Sequence, residues 1–168
     1  MNDLVKIAYH EAGHVVAAYV VKRKFQYVSI EPDKESLGHV LFQRFSDKFQ
    51  PEFQEENKIR PMLEKTIITG LAGEIAEKKF CNDEIDFQSS RSDFDNVFDY
   101  ICYFVGSIEE AQAFLNWMIV RTKNIISLDF NWNAVKELAE QLIKRKKIGY
   151  RTARKIIFDA QQEAAFPG

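Results

Sequence analysis

No apolar run in this chain exceeds seven residues, Val15 to Val21. A membrane-spanning helix needs about 18 or more, so no segment is expected to cross a bilayer. The first residues also lack the basic region and small-residue cleavage site of a secretory signal. Cysteine is scarce: Cys81 and Cys102 have no CxxC partner. Both are read as reduced thiols of a cytoplasmic protein, with no disulfide implied. Charge of one sign is lacking too. A net charge of −2 and a pI near 6.0 give no electrostatic reason to bind nucleic acid or an anionic membrane. Repeats and low-complexity tracts are absent.

What is present is enough to build a core. The chain has 168 residues, 46% of them hydrophobic and 13% aromatic, with 14 Phe, which argues against disorder. Asp3 can cap a helix reaching about Arg23, with Leu4, Ile7, Ala8, Val15 and Tyr19 on its apolar stripe. Residues 25–32 alternate and stop at Pro32, and 37–45 read as a second strand, so the two suit a hairpin. Much of the span from Lys34 to Asn57 is polar and reads as an exposed loop. Beyond Pro61, placed in a first helical turn, residues 62–80 are strongly helical, and 81–92 form a connector. Further helices are expected over 93–105, 107–127, 131–147 and 151–163. Asn131 and Thr152 serve as caps, and Gly106 and Gly149 as stops. Phe94, Phe98, Tyr100, Phe104, Phe114 and Trp117 are assigned to the helical core. The fold class is mainly α with a small N-terminal β-hairpin or sheet.

Two of the three histidines stand four positions apart in "HEAGH", residues 10–14. On a helix, His10 and His14 share one face and can aim ring nitrogens at one point, a spacing that suits zinc. Glu11 lies about 100° round the helix, beside a metal rather than on it. There it can take a proton from a water whose pKa the metal lowers. This is the HExxH logic of zinc hydrolases; the competing reading is a helix with two surface histidines. Gly13 favours the first. A mid-helix glycine costs about 1 kcal/mol against alanine, so a close neighbour is expected there.

The pair needs a third ligand. The extended HExxHxxGxxH pattern fails at Ala17 and Val20. His39, on a strand after Gly38, reads as a sheet-surface histidine. Carboxylates remain: Glu64, Glu74 and Glu77 on one helix, Asp93, Asp95 and Asp99 on the next. Spacing alone does not choose among them. Asp93 could equally cap its helix after Ser92, and Glu64 and Asp99 could be solvated surface charges.

The chain resembles the peptidase domain of the FtsH-type ATP-dependent zinc proteases. Ala8-Tyr9-His10-Glu11-Ala12-Gly13-His14 reproduces that family's zinc-helix opening. Val28-Ser29-Ile30-Glu31-Pro32 is similar to its next strand, and Leu37-Gly38 to the strand after it. Leu71-Ala72-Gly73-Glu74-Ile75-Ala76-Glu77 is similar to its "LxGRxAEE" helix, and Phe87–Val97 to its "TTGASNDxxxAT" segment, with the aspartate on Asp93. Residues 138–157 look like its closing helices, so the resemblance spans almost the whole chain.

It implies a single zincin-like domain over 1–168, with a zinc-site region (1–105) and a C-terminal helical bundle (106–168). It also implies Zn2+ held by His10, His14 and Asp93, with Glu11 as general base. Glu77 matches an acidic residue of the family and is assigned to orient a ligand histidine through its other ring N–H.

Departures accompany the likeness. Ser89, Ser92 and Glu74 replace a glycine, an asparagine and an arginine of the family pattern, which puts loop geometry and subunit packing in question. The zinc helix begins at residue 3, and no GxxxxGK[ST] phosphate loop occurs. The expected activity is therefore zinc-dependent endopeptidase cleavage of peptides or already unfolded polypeptides, or cleavage fed by a separate AAA+ unfoldase. If strand 37–43 is an exposed edge, a peptide could add to it as a further strand; an ordinary hairpin strand is the other reading. Monomer, dimer and a homo-oligomeric ring all stay open. The rival from another class is a zinc-binding module without activity that regulates or docks to a separate protease or ATPase; the retained Glu11 speaks against it.

Overall fold

A computed structural model describes residues 3–32, 37–44, 55–84 and 91–165, with side chains from residue 96 onward in the last segment. Most of the loop expected over 34–57 and half of the connector over 81–92 lie outside the described residues. So do Ser89 and the side chains of Ser92, Asp93, Phe94 and Asp95. The described residues form six helices and a small sheet: α1 (Asp3–Val20), β1 (Phe25–Ser29), β2 (His39–Phe42), α2 (Glu56–Cys81), α3 (Arg91–Cys102), α4 (Ile108–Ser127), α5 (Asp129–Arg145), β3 (Lys147–Gly149) and α6 (Tyr150–Ala165). No described helix is long and apolar enough to cross a membrane.

Helix α1 is buried on nearly all sides from Ala8 to Ala18, as expected of a helix at the centre of a core. It packs chiefly against α2 and α5. Small residues set the α1–α2 distance. A Cβ on Gly13 would stand 2.5 Å from both the Ala72 carbonyl oxygen and the Ala76 Cβ, which accounts for a mid-helix glycine there.

The end of α1 is closed by a Schellman motif. The Arg23 amide donates to the Ala18 carbonyl (2.8 Å) and the Lys22 amide to Tyr19 (3.3 Å), with Lys22 at φ 58°. A side chain in this left-handed region costs about 1–2 kcal/mol, and glycine recovers part of that at the cost of unfolded-state entropy. Lys22→Gly is therefore expected to stabilise by about 1 kcal/mol, raising the thermal midpoint by about 2–4 °C for a chain of this size. A lowered midpoint would show that the Lys22 side chain contributes more than its backbone costs.

The expected hairpin is present. β1 and β2 are antiparallel in the register Phe25↔Phe42, Tyr27↔Leu41, Val28↔Val40 and Ser29↔His39, with an irregularity between Phe25 and Tyr27. The sheet has a third strand that sequence reading did not foresee. β3 pairs with the other edge of β1 (Val28↔Ile148), giving the order β2-β1-β3. Gly149 thus ends a strand rather than stopping a helix.

Three other boundaries differ from expectation. α2 starts at Glu56, so Pro61 lies inside it. The opening turns hold because Ile59 and Leu63 are buried and Arg60 pairs with Glu56 and Glu64, each at 3.0 Å. Asn131 does not cap α5: it is buried within that helix, donating to the Ile125 carbonyl in the last turn of α4 (2.7 Å) and accepting from Gln161 (2.8 Å). Thr152 is likewise inside α6. Among the aromatics, Phe98, Tyr100, Phe104 and Phe114 pack against the core, whereas Trp117 is exposed. One cluster of buried residues runs from Ala8 to Ala160.

Candidate metal centre

The histidines of α1 face α2. His10 Nδ1 lies 3.1 Å from Glu77 Oε2, and His14 Nδ1 lies 2.6 Å from the Thr69 carbonyl oxygen. Both partners accept, so each Nδ1 carries a proton and donates, which leaves each Nε2 as the ring nitrogen that can face a metal. The two Nε2 atoms converge on one residue. A Cβ on Gly73 would stand 2.7 Å from His10 Nε2 and 2.6 Å from His14 Cε1, and would overlap His14 Nε2. The rings lie 4.7 Å apart, edge to face at 77°. A glycine one turn after Thr69 on α2 therefore leaves the space that both imidazole tips occupy.

These observations fit a zinc-type site. Ligating histidines usually donate their second ring N–H to a carboxylate or backbone carbonyl, which fixes tautomer and orientation. His10 has the first arrangement and His14 the second. Among the described residues, His10, Glu74 and Glu77 also bring ligand atoms within 4.8 Å of one another. The His10 hydrogen bond, opposed by burial, holds the Glu77 carboxyl below its ordinary 4.5. Glu74 is buried, 3.9 Å from Lys78 Nζ.

The cleft beside the histidines has a volume of about 470 Å³. His10, Glu11 and His14 line it from α1, His39 and Val40 from β2, Thr66 and Gly70 from α2, and Asn96 and Tyr100 from α3. Glu11 is 6% exposed, low enough that its carboxylate faces the cleft and not bulk water. Gly38 admits it: a Cβ there would stand 3.0 Å from Glu11 Oε1. Of the other carboxylates weighed as ligands, Glu64 is bonded to Arg60 and Asp99 is exposed. Asp93 belongs to α3, one helical turn before Asn96 and Val97; its side chain lies outside the described residues.

Several residues of the site were not singled out from sequence. Gly73 carries the same signal as Gly13, a glycine inside a helix, and could have been found that way. Gly38 was visible only as half of a strand motif. Thr69 left no pattern, because it acts through its backbone carbonyl. His39 lines the cleft from β2 and bonds Tyr27 (Nε2 to Oη, 3.3 Å) across the sheet, more than the surface role expected of it. Arg23 was read only as the end of a helix.

No protein-family model matches the chain. It is similar to the ATP-dependent zinc metalloprotease YME1L1 of Rattus norvegicus, 32% identical over 92 residues. That stretch covers 54% of this chain and 12% of the relative. A zinc metalloprotease is thus the class of protein to which the chain shows likeness, and the chain spans only a small part of that relative's length.

Proposed function

We propose that this chain is a zinc-dependent endopeptidase that hydrolyses peptide bonds in peptides or unfolded polypeptides. The observation that carries the reading is the convergence of His10 and His14 Nε2 on the space left by Gly73, with both Nδ1 atoms held by acceptors of α2. In this reading His10, His14 and Asp93 hold the ion. Asp93 is supported by the family likeness and by its place one turn before the cleft-lining part of α3.

Zinc held there would supply Lewis-acid polarisation of the scissile carbonyl and activation of the attacking water. The remaining work belongs to the chain. Glu11 takes the proton from the attacking water and returns it to the leaving amine. Glu77 holds the His10 ring through Nδ1–H, and the Thr69 carbonyl does the same for His14. The burial of Glu11 keeps its carboxylate from being screened by solvent. β2, at one edge of the sheet, presents backbone groups against which an extended peptide could align. Substrates would arrive already unfolded or from a separate AAA+ unfoldase.

The test is metal analysis of the purified chain, then digestion of unfolded casein with and without chelator. About one zinc per chain and chelator-sensitive cleavage are expected, with zinc retention reduced in Asp93→Ala. Full occupancy in Asp93→Ala would remove Asp93 from the ligand set. Zinc bound without cleavage would favour a module that regulates or docks to another protease.

A further inference from the structure

Among the described residues that line the cleft, Arg23 is a cation that metal binding and proton transfer leave without a task. Arg23 follows the Schellman turn of α1, and its side chain enters the same cleft as His10, Glu11 and His14. Two contacts fix it. Nη1 donates to the Thr69 hydroxyl, and the guanidinium lies 3.9 Å over the Phe42 ring of β2. Thr69 is the residue whose carbonyl holds His14, so the cation sits one residue away from the metal-facing histidine. Among the described residues no carboxylate pairs with it, and Tyr100 is the ionisable group that acts on it. Burial lowers its pKa to about 10, so it remains charged at neutral pH.

A half-buried guanidinium with no opposing carboxylate among the described residues has lost part of its hydration without the compensation that pairing supplies. It carries five N–H donors in a planar fork, and the Thr69 bond occupies one. The Phe42 ring, 3.9 Å below its central carbon, restricts how the fork can turn. That is the arrangement that receives a carboxylate through two parallel hydrogen bonds. Glu11, the acid that lines the cleft with it, has a different role in the peptidase reading.

We infer that Arg23 is a specificity-determining residue, binding a carboxylate of the peptide substrate within the cleft. The inference rests on the proposed peptidase reading and narrows its substrate class. A carboxylate can come from two sources: the C-terminus of the peptide or an Asp or Glu side chain. The first would favour cleavage near chain ends, the second internal cleavage beside acidic residues.

Binding separates this inference from catalysis. The whole chain carrying Glu11→Gln, loaded with zinc, is titrated against three fluorescein-labelled peptides of one otherwise neutral sequence. One has a free C-terminus, one a C-terminal amide, and one an amide with a single internal glutamate. Charge-assisted hydrogen bonds predict a preference of roughly tenfold to a hundredfold for a carboxylate-bearing peptide over the plain amide. Preference for the free C-terminus assigns the terminal source, and preference for the glutamate peptide assigns the side-chain source. Adding Arg23→Met should abolish the preference, and Arg23→Lys should keep part of it, with circular dichroism confirming that each variant folds. Equal affinity for all three peptides, or a preference that survives Arg23→Met, overturns the inference. Cleavage of casein by the parent chain is scored separately, so the peptidase reading stands or falls by a different result.

Discussion

Glu11→Gln lowers kcat/KM on a peptide substrate by roughly 10²–10⁴-fold, the contribution of a positioned general base, while zinc content stays at the wild-type level. The two halves of this expectation have separate structural grounds. Glutamine is nearly isosteric with glutamate, so the close fit against Gly38, where a Cβ would stand 3.0 Å from Oε1, is preserved. His10 and His14 keep their acceptors Glu77 and Thr69, so the metal-facing nitrogens stay in place. What is lost is the ability to accept a proton. The measurement is a steady-state assay paired with atomic absorption on the same sample. Unaltered activity would reject Glu11 as the base. Loss of zinc in step with activity would move Glu11 into the ligand set.

How much of this site was legible beforehand follows the range of each interaction. His10, Glu11 and His14 lie within five consecutive positions, and helical geometry alone puts them on the faces they occupy. Gly13 was legible for a related reason: a residue that weakens a helix asks for a neighbour, and Ala72 and Ala76 are that neighbour. Glu77 was reached through a family likeness and stands at His10 Nδ1. The Thr69 and Arg23 contacts were not legible. They join positions 55 and 46 residues apart, and one of them uses a backbone oxygen that any residue would supply. β3 was missed because three residues with a glycine have no strand pattern of their own; they become a strand by pairing with β1. Asn131 misled in the opposite direction. Its residue type suits the start of its own helix, but its position between α4 and α6 gave the amide other partners, a carbonyl in the last turn of α4 and the Gln161 side chain.

Gly13→Ala and Gly73→Ala are expected to fail differently, because what each new methyl meets is different. Both add a residue that favours helix by about 1 kcal/mol. At Gly13 the methyl meets the Ala72 carbonyl oxygen and the Ala76 Cβ at 2.5 Å. Backbone cannot step aside locally, so α1 and α2 must separate along their interface. Overpacking of this kind costs about 1–3 kcal/mol and occasionally more, which outweighs the helix gain and lowers the thermal midpoint by several degrees. At Gly73 the three atoms nearest the methyl belong to imidazole tips, which can turn away. Turning breaks the His10–Glu77 and His14–Thr69 bonds, worth about 0.5–1.5 kcal/mol each; the helix gain offsets part of that, so the metal-free fold loses at most about 2 kcal/mol. Zinc affinity takes the larger effect. Disturbing the groups that orient ligand histidines costs roughly 10–100-fold, and displacing both rings should reach at least that. Thermal melts with and without zinc, with zinc titrated against a competing chelator, distinguish the two variants. Wild-type zinc affinity in Gly73→Ala would mean that the ion does not depend on the convergence of His10 and His14, and the metal site would have to be sought around Glu74 and Glu77 instead.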